Sequence, residues 1–457
     1  MPISRAPALR PLVGALVLAF GAAGAQAQSL SEVVQAARGV DATYLAARAE
    51  ADAAHWRYEQ SRALHLPSAG LQVEAGRQNS TSPQAVGSTQ SGQTIIANET
   101  VKTSSLGGTV SAQQNIFNRQ NDLSIDEAQR LQDLAQSQYA QADQDLIVRV
   151  SQAYFNVLAA TDALNAMNGK AKAIGEQLAS AKRNFEVGNA TITDTREAEA
   201  RADLARSQQI AAENDLLVAK VTLDQLVGRN GVTPHPLLLP AKLPPVMPSQ
   251  ISDWVTMAES DSPSVKQAQL ALQVAELETE RAKAGHLPTL VANASYGRSR
   301  AKEAVDSQGS FTGSSRNAGV SLVLNVPIFS GFAVQNRVNE TRALEQKART
   351  NADGIHNAVV LGARTAFVGA QTQAAQVKAL EAAEASSRLA LDATQLGYKV
   401  GVKVNLDVLN AESQLYDTQR DAAGARYQYL IAQLKLRQAA GNLTNNDLLP
   451  IDALLAR

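Results

Sequence analysis

From Ala128 onward, apolar side chains return at Leu131, Ala135, Tyr139, Ala142, Leu146, Val150, Ala153, Val157, Ala160, Leu164, Met167, Ala171, Ile174, Leu178, Ala181 and Phe185, each step being three or four residues. That is the period of an α-helix, and it predicts one of about 67 residues, roughly 100 Å long at 1.5 Å per residue. Shifting the series by 213 residues gives Leu344, Ala348, Ala352, Ile355, Val359, Ala363, Ala366, Ala370, Val377, Leu380, Leu391 and Tyr398, with polar interruptions at Thr341, Gln373, Glu384, Ser387 and Thr394. The second seam is therefore more polar. Helices this long hide a seam only against other helices, in coiled-coil fashion. Gly188 and Gly401 supply the left-handed residue that ends a helix and sends the chain back antiparallel.

Elsewhere the period changes to two. Leu290, Ala292, Ala294 and Tyr296 alternate with polar or small residues, and Val320, Leu322, Leu324 and Val326 alternate with Gly319, Ser321, Val323 and Asn325, so one face is apolar and the other largely polar. The first half offers Leu71, Val73 and Ala75, then Leu106, Gly108, Val110 and Ala112, with the polar stretch from Gln78 to Ser104 expected as a connecting loop. Strands of about ten residues with one apolar face are the signature of a membrane barrel. Four strands cannot close around a lumen, because about eight only just enclose side chains. Several chains must share the barrel.

The two halves repeat each other. Ala63-Leu64-His65-Leu66-Pro67 is echoed by Ala284-Gly285-His286-Leu287-Pro288, Asn115-Ile116-Phe117-Asn118 by Pro327-Ile328-Phe329-Ser330, and Phe185-Glu186-Val187-Gly188 by Tyr398-Lys399-Val400-Gly401. The first pair is offset by 221 residues and the others by 212 and 213, so the first half carries an insertion of about nine residues between its first two landmarks. Between the halves Pro234, Pro236, Pro240, Pro244, Pro245 and Pro248 rule out helix interior or central strand. The organisation read from the chain is a signal peptide (1–27), a first repeat (28–232), a Pro-rich linker (233–250), a second repeat (251–445) and a C-terminal tail (446–457). The signal is carried by Arg5 and Arg10, the apolar run Leu12 to Phe20 and the small-residue site Ala25-Gln26-Ala27.

Composition narrows the function classes. A net charge of -1 with few aromatics argues against nucleic-acid binding, and the absence of cysteine excludes disulfides and a lipid-bearing N-terminal Cys. His55, His65, His235, His286 and His356 show no metal-ligand spacing. His65 and His286 read as helix-to-strand junctions. No phosphate-binding glycine loop or nucleophile elbow is present, so no cofactor and no enzymatic activity are expected.

The order, duplication and spacing of these motifs resemble the TolC family of outer-membrane efflux and secretion channels over essentially the whole mature chain. The residues that carry the resemblance are the two His-Leu-Pro segments, Gln114 to Asn118, Val326 to Gly331, Gly397 to Ala411, and Ala425 to Leu434. The resemblance implies an α+β membrane protein of long antiparallel coiled-coil helices forming an α-barrel. Its four strands per chain would contribute to a shared trimeric transmembrane β-barrel with an internal two-fold repeat. It further implies a homotrimer in the cell outer membrane with a long periplasmic extension. Such a trimer serves as the exit duct of a tripartite efflux pump or type I secretion system and is engaged by a periplasmic adaptor and an inner-membrane transporter.

By position, the resemblance also places a periplasmic entrance at the second turn, with Tyr398, Lys403, Asp407 and Asn410 facing Thr193 and Asp194 of the first turn. Asp407 and Asn410 would set ion selectivity, since a ring of carboxylates favours cations. Tyr398, Lys403, Thr193 and Asp194 would make the gate contacts. The chain departs from the family pattern at Asn410, where a second acidic residue is expected, and at Lys403, where Arg is expected; Lys lacks the forked bidentate contact of Arg. Plainer roles stand beside these: Asp194 as an N-cap with a glutamate three residues on, Asp407 as a solvated helix residue, Tyr398 as seam packing. Two rival readings are a periplasmic adaptor and a structural coiled-coil protein. The first needs compact β-rich domains flanking one hairpin, and the second leaves the alternating segments unexplained.

Overall fold

The computed structural model describes residues 27–305 and 309–456; the expected signal segment, Ala27 apart, lies outside them. By internal contacts the chain divides into two units. One comprises Ala49–Gln138 and Lys266–Ile355; the other comprises Tyr139–Val265 and His356–Arg457 with the segment ahead of Ala49.

The first unit is built on a four-stranded antiparallel sheet in the order β1 (Ser68–Ser88), β2 (Thr94–Phe117), β3 (Thr289–Val305), β4 (Gly309–Asn325). Each hairpin follows a helix, α2 (Ala42–Arg62) or α6 (Pro263–Lys283), and a single 3-10 turn ending at His65 or His286. His65 Nε2 lies 2.9 Å from Asp122 Oδ1, which fastens that junction to the helix leaving the sheet. Apolar side chains share one face and align in rows across the strands: Leu71 opposite Val110, Val110 opposite Tyr296, Tyr296 opposite Ala318. On that face Leu71, Val73, Val320, Leu322 and Leu324 are all more than 60% exposed. The opposite face carries Gln72, Thr109, Ser111, Asn293 and Ser321.

Two expectations about the strands are corrected. The stretch from Gln78 to Ser104 is strand nearly throughout, with only residues 89–93 turning, so the insertion lengthens β1 and β2 to 21 and 24 residues against 17 each for β3 and β4. The alternation of apolar residues fades there because the ladder is held by backbone bonds and by hydroxyl pairs such as Thr81 with Thr100, 3.1 Å apart. At the other end β4 stops at Asn325, one residue short of Val326, next to Pro327, which has no amide hydrogen to donate.

The second unit is helical. Its frame is α3 (Arg119–Glu186, 68 residues), α4 (Ile192–Val227), α7 (Ala333–Lys399, 67 residues) and α8 (Asn405–Ala439), the long helices belonging to this unit from Tyr139 and His356 onward. The expected seam of α3 is buried at Leu146, Val150, Ala153, Val157, Met167, Ile174 and Ala181. Thr341, a polar interruption of the second seam lying in the sheet-bearing unit, is buried too, its hydroxyl donating to the carbonyl of Arg337 at 3.0 Å. Short helices α1 (Leu30–Ala37), α5 (Ile251–Asp261) and α9 (Leu449–Asp452) join the frame. Leu30, Val33, Leu448 and Ile451 enter one core with Tyr154, Phe155 and Leu430, and Asp452 Oδ1 accepts the amide of Leu30 at 2.8 Å. Residues 233–250 contain no helix. They lie along α8, where Tyr429 Oη donates to the Pro244 carbonyl at 2.6 Å.

Gly169 of α3 leaves room for the Tyr416 ring of α8: an added Cβ would stand 2.5 Å from Tyr416 Cε1, whereas a Cβ at Gly175 meets nothing within 4 Å. Ala normally stabilises a helix interior by about 0.5–1 kcal/mol over Gly. Gly175→Ala is expected to raise the thermal unfolding midpoint followed by circular dichroism and Gly169→Ala to lower it; a rise in both removes the close-approach argument.

Candidate functional site at the helix tips

Both hairpin tips are built by the same local device. Gly188 and Gly401 have φ of 80° and 79°, a region costly for residues with a Cβ. The chain then closes a six-residue helix stop: Asn189 N–H donates to the Asn184 carbonyl at 2.7 Å and Val402 N–H to the Gly397 carbonyl at 2.9 Å. The returning helices begin within a few residues, so the charged groups of their first turns sit at the tips.

In α4 the N-cap is Thr191, and Asp194 is the third helical residue. Its Oδ2 accepts from the Thr191 amide at 3.0 Å and hydroxyl at 2.8 Å, while Thr191 Oγ1 accepts from the Asp194 amide at 3.2 Å. The expected box starting at Asp194 is thus displaced by three residues, because threonine offers a hydroxyl at the right position and completes the reciprocal pair. Asp407 has the equivalent place in α8: Oδ2 accepts from the Val404 amide at 3.3 Å and lies 3.5 Å from Lys403 Nζ. A carboxylate in the first turn also meets the positive end of the helix dipole. Thr193 is exposed. Among the described residues no hydrogen bond or ion pair joins Lys403 to Thr193 or Asp194; within the chain Lys403 pairs with Asp407.

Two other expected residues connect the hairpins. Tyr398 Oη accepts from Asn184 Nδ2 at 3.3 Å while its ring packs against Leu391, Val408 and Leu415. Asn410 Oδ1 accepts from Arg201 Nη2 at 3.1 Å. Sequence reasoning found neither partner, since Asn184 and Arg201 lie on polar faces without any periodic signature. Leu409, fully buried among Ile174, Ala181, Ala198 and Ala205, supplies the apolar anchor of the same junction.

Above the tips two charged groups lie in the helix interface. Lys170 is buried and Asp417 takes its ammonium with both oxygens at 3.0 Å. Glu412 is 3% exposed, and its Oε1 is 3.5 Å from Gln177 Nε2. Burial raises its pKa above the ordinary 4.5, hydrogen bonds from Gln177 and Gln395 oppose that, and the charge of Glu176 adds to it. A signal existed in the sequence: Glu412 stands between Val408 and Leu415, at a position where the α8 seam calls for an apolar residue.

A groove of about 620 Å³ among the four long helices is floored by Ala159, Ala160, Ala163, Ala212 and Gly424, with Arg420 and Asp421 paired at 2.8 Å on its rim. Among the described residues no cluster of His, Asp and Glu is placed to hold a metal ion.

Paired helical hairpins, a sheet with one apolar face and an internal repeat coincide with a match to the family model described as outer membrane efflux protein, over residues 33–229 and 254–442. The chain belongs to the outer membrane efflux protein family. It is 28% identical over 448 residues to outer membrane protein TolC of Vibrio cholerae, covering 97% of this chain and 98% of that protein. It is 31% identical over 317 residues to the alkaline protease secretion protein AprF of Pseudomonas aeruginosa, covering 69% and 65%. The fold matches the crystal structure of VceC, an outer membrane protein of Vibrio cholerae, with a TM-score of 0.71 at 17% identity, over 90% of this chain and 96% of that one. This family member is a TolC-type channel of the outer membrane, an exit duct for efflux or secretion with a helical periplasmic tunnel, and its family is one of transport conduits and not of enzymes. Among the described residues no helix is long and apolar enough to cross a membrane.

Because the folded protein holds the Glu412 proton above the ordinary carboxyl range, this group's contribution to stability is complete at low pH and is lost as pH rises through the raised value. Glu412→Gln is expected to raise the thermal midpoint at about pH 8, with the gain shrinking as pH falls towards 4.5, the ordinary value. An identical gain at both pH values removes ionisation as the cause.

Proposed function

We propose that this duct is a homotrimer, passive in itself, whose periplasmic entrance is opened when a periplasmic adaptor and an inner-membrane transporter engage the helix tips. The observation that carries the reading is that the chain ends its own packing on open surfaces. β1 and β4 are the outer strands of the sheet, each with one edge unpaired among the described residues. Helix α7 exposes Leu361, Val368, Ala375, Ala382, Leu389 and Leu396, one every seven residues, which is the spacing of a coiled-coil seam. A second copy fits both.

The repeat dictates how the copies meet. Moving β1 by 221 residues and β2 by 212 converts the pair Leu71 and Val110 into Ala292 and Leu322, which are register partners in the second hairpin. The same shifts applied to the β2–β3 pair Val110 and Tyr296 place Leu322 of one copy opposite Ala75 of the next. Apolar residues then stay on one face, as a closed barrel in lipid requires.

At the entrance, three copies would bring Asp407 and Asn410 round the axis, one acidic ring with an amide ring beside it. The joints to part are Asn184 with Tyr398 and Arg201 with Asn410. The neutral Asn184–Tyr398 bond is worth about 0.5–1.5 kcal/mol net and the charged Arg201–Asn410 bond up to about 1.5–3 kcal/mol, and the exposed Lys403–Asp407 pair adds about 0–1 kcal/mol. A docking partner supplies that much. The duct offers no cargo chemistry of its own; selection between drugs, other small molecules and a secreted protein falls to the transporter. In planar bilayers Tyr398→Phe combined with Arg201→Ala is expected to raise single-channel conductance, and Asp407→Asn to lower the preference for cations over anions. Conductance and selectivity that stay at wild-type values in these variants count against a gate at the tips.

A further inference from the structure

Charge is sorted across the sheet. Along the described strands, the basic residues Arg77, Lys102, Arg298, Arg300, Lys302 and Arg316 all fall on the apolar face, and the acidic residues Glu74, Glu99 and Glu303 all fall on the other. Alternation makes this unambiguous: Arg298 and Arg300 continue the line of Leu290, Ala292, Ala294 and Tyr296, while Glu303 continues that of Asn293 and Ser295. The basic residues also sit at one end of the apolar band, towards the hairpin turns and away from the helices. The upper limit of the band steps from Ala75 on β1 and Leu106 on β2 to Tyr296 on β3 and Ala318 on β4, and Arg77, Arg298 and Arg316 follow two residues beyond it on their strands. A slanted limit across register rows is what tilted strands give at a level boundary.

The densest part lies on β3 and β4. Arg298 is the register partner of Arg316, with Arg300 two residues further along. Like charges directly opposite each other on a sheet are destabilising, and among the described residues none of these three arginines has an ion-pair partner. Gly108, Leu106 and Ser314 are their other neighbours across the strands, so the guanidinium groups stand over small or apolar surface and are exposed. An anion between them reverses the repulsion, and guanidinium forks suit phosphate oxygens. Since the cluster borders an apolar face, the anion with access to it is a lipid headgroup at the membrane surface.

We infer that Arg298, Arg300 and Arg316, with Lys302 beside them, form a binding site for the phosphate of an anionic lipid in the leaflet on the hairpin-turn side. The inference rests on the reading of the sheet as part of a membrane barrel, and it adds to that reading a ligand class, a leaflet and named residues. Three arginines bound to one headgroup set the barrel's depth in the bilayer as well as its local stability, because the apolar band ends where the phosphates begin.

Native mass spectrometry of the detergent-extracted oligomer, titrated with phosphatidylglycerol or phosphatidylcholine, tests the site. The expected result is preferential retention of phosphatidylglycerol, reduced on the order of tenfold or more in the triple variant Arg298→Gln, Arg300→Gln, Arg316→Gln. The charge-keeping variant Arg298→Lys, Arg300→Lys, Arg316→Lys is expected to retain most of the preference, which separates loss of charge from loss of fold. Inorganic phosphate at equal concentration is expected to leave lipid retention unchanged; displacement of the lipid by phosphate alone overturns the lipid assignment. Equal retention of both lipids by an intact wild-type oligomer overturns the site and leaves the channel standing, whereas failure to isolate any oligomer overturns both.

Discussion

Backbone amide and carbonyl groups cannot be left unpaired in hydrocarbon, where each costs several kcal/mol. Among the described residues the four-stranded sheet has two open edges, β1 and β4, and an apolar face with leucines and valines more than 60% exposed. The rest of the structure follows from satisfying those edges. Closure through other copies of the same chain is the geometry that leaves no edge, and the internal repeat allows each contact between copies to imitate the contact between β2 and β3. The alternation of apolar and polar residues then separates lipid from lumen.

In the helical unit the same economy is reached by different means. The α3 seam mixes Leu146, Val150, Val157, Met167 and Ile174 with alanines at 153 and 181, and Gly169 makes room for the Tyr416 ring. Where a tight seam runs from end to end the helices are fixed; where it carries Lys170, Glu412 or the junctions of Tyr398 and Asn410, polar contacts replace part of the apolar burial. The exposed ones contribute little net stability in water, whereas the buried Lys170 depends on Asp417 to compensate its charge. The tips combine a backbone stop at Gly188 and Gly401 with few side-chain contacts between the hairpins.

Much of this was legible in the sequence because two periods, 3.6 and 2, were held over long segments. The helix of about 67 residues, the paired glycine turns and four alternating segments needed only those periods, and the repeat supplied the pairing of halves. Strand ends were not legible from Gln78 to Ser104, since a ladder outside the apolar band imposes no hydrophobic alternation. The cap of α4 was misplaced because Thr191 and Asp194 present equally plausible oxygens, and only backbone geometry selects the threonine. Arg201 and Asn184 were invisible: their roles depend on which faces of two distant hairpins meet. Glu412 was visible in principle as a charge in an apolar seam.

The claim that the open edges of this sheet are closed by neighbouring copies, in the register set by the repeat, is tested most directly by disulfide trapping. The chain contains no cysteine, and β1 and β4 of one chain are separated by two strands, so a bond between residues 75 and 322 can form only between copies. Residues more than about 7 Å apart at Cα cannot be bridged without backbone movement. The account expects Ala75→Cys with Leu322→Cys to give the highest yield of covalently linked chains in outer-membrane preparations, well above Ala75→Cys paired with Val320→Cys or Leu324→Cys. A maximum at either of those slipped pairs, or no linkage within an intact oligomer, contradicts it.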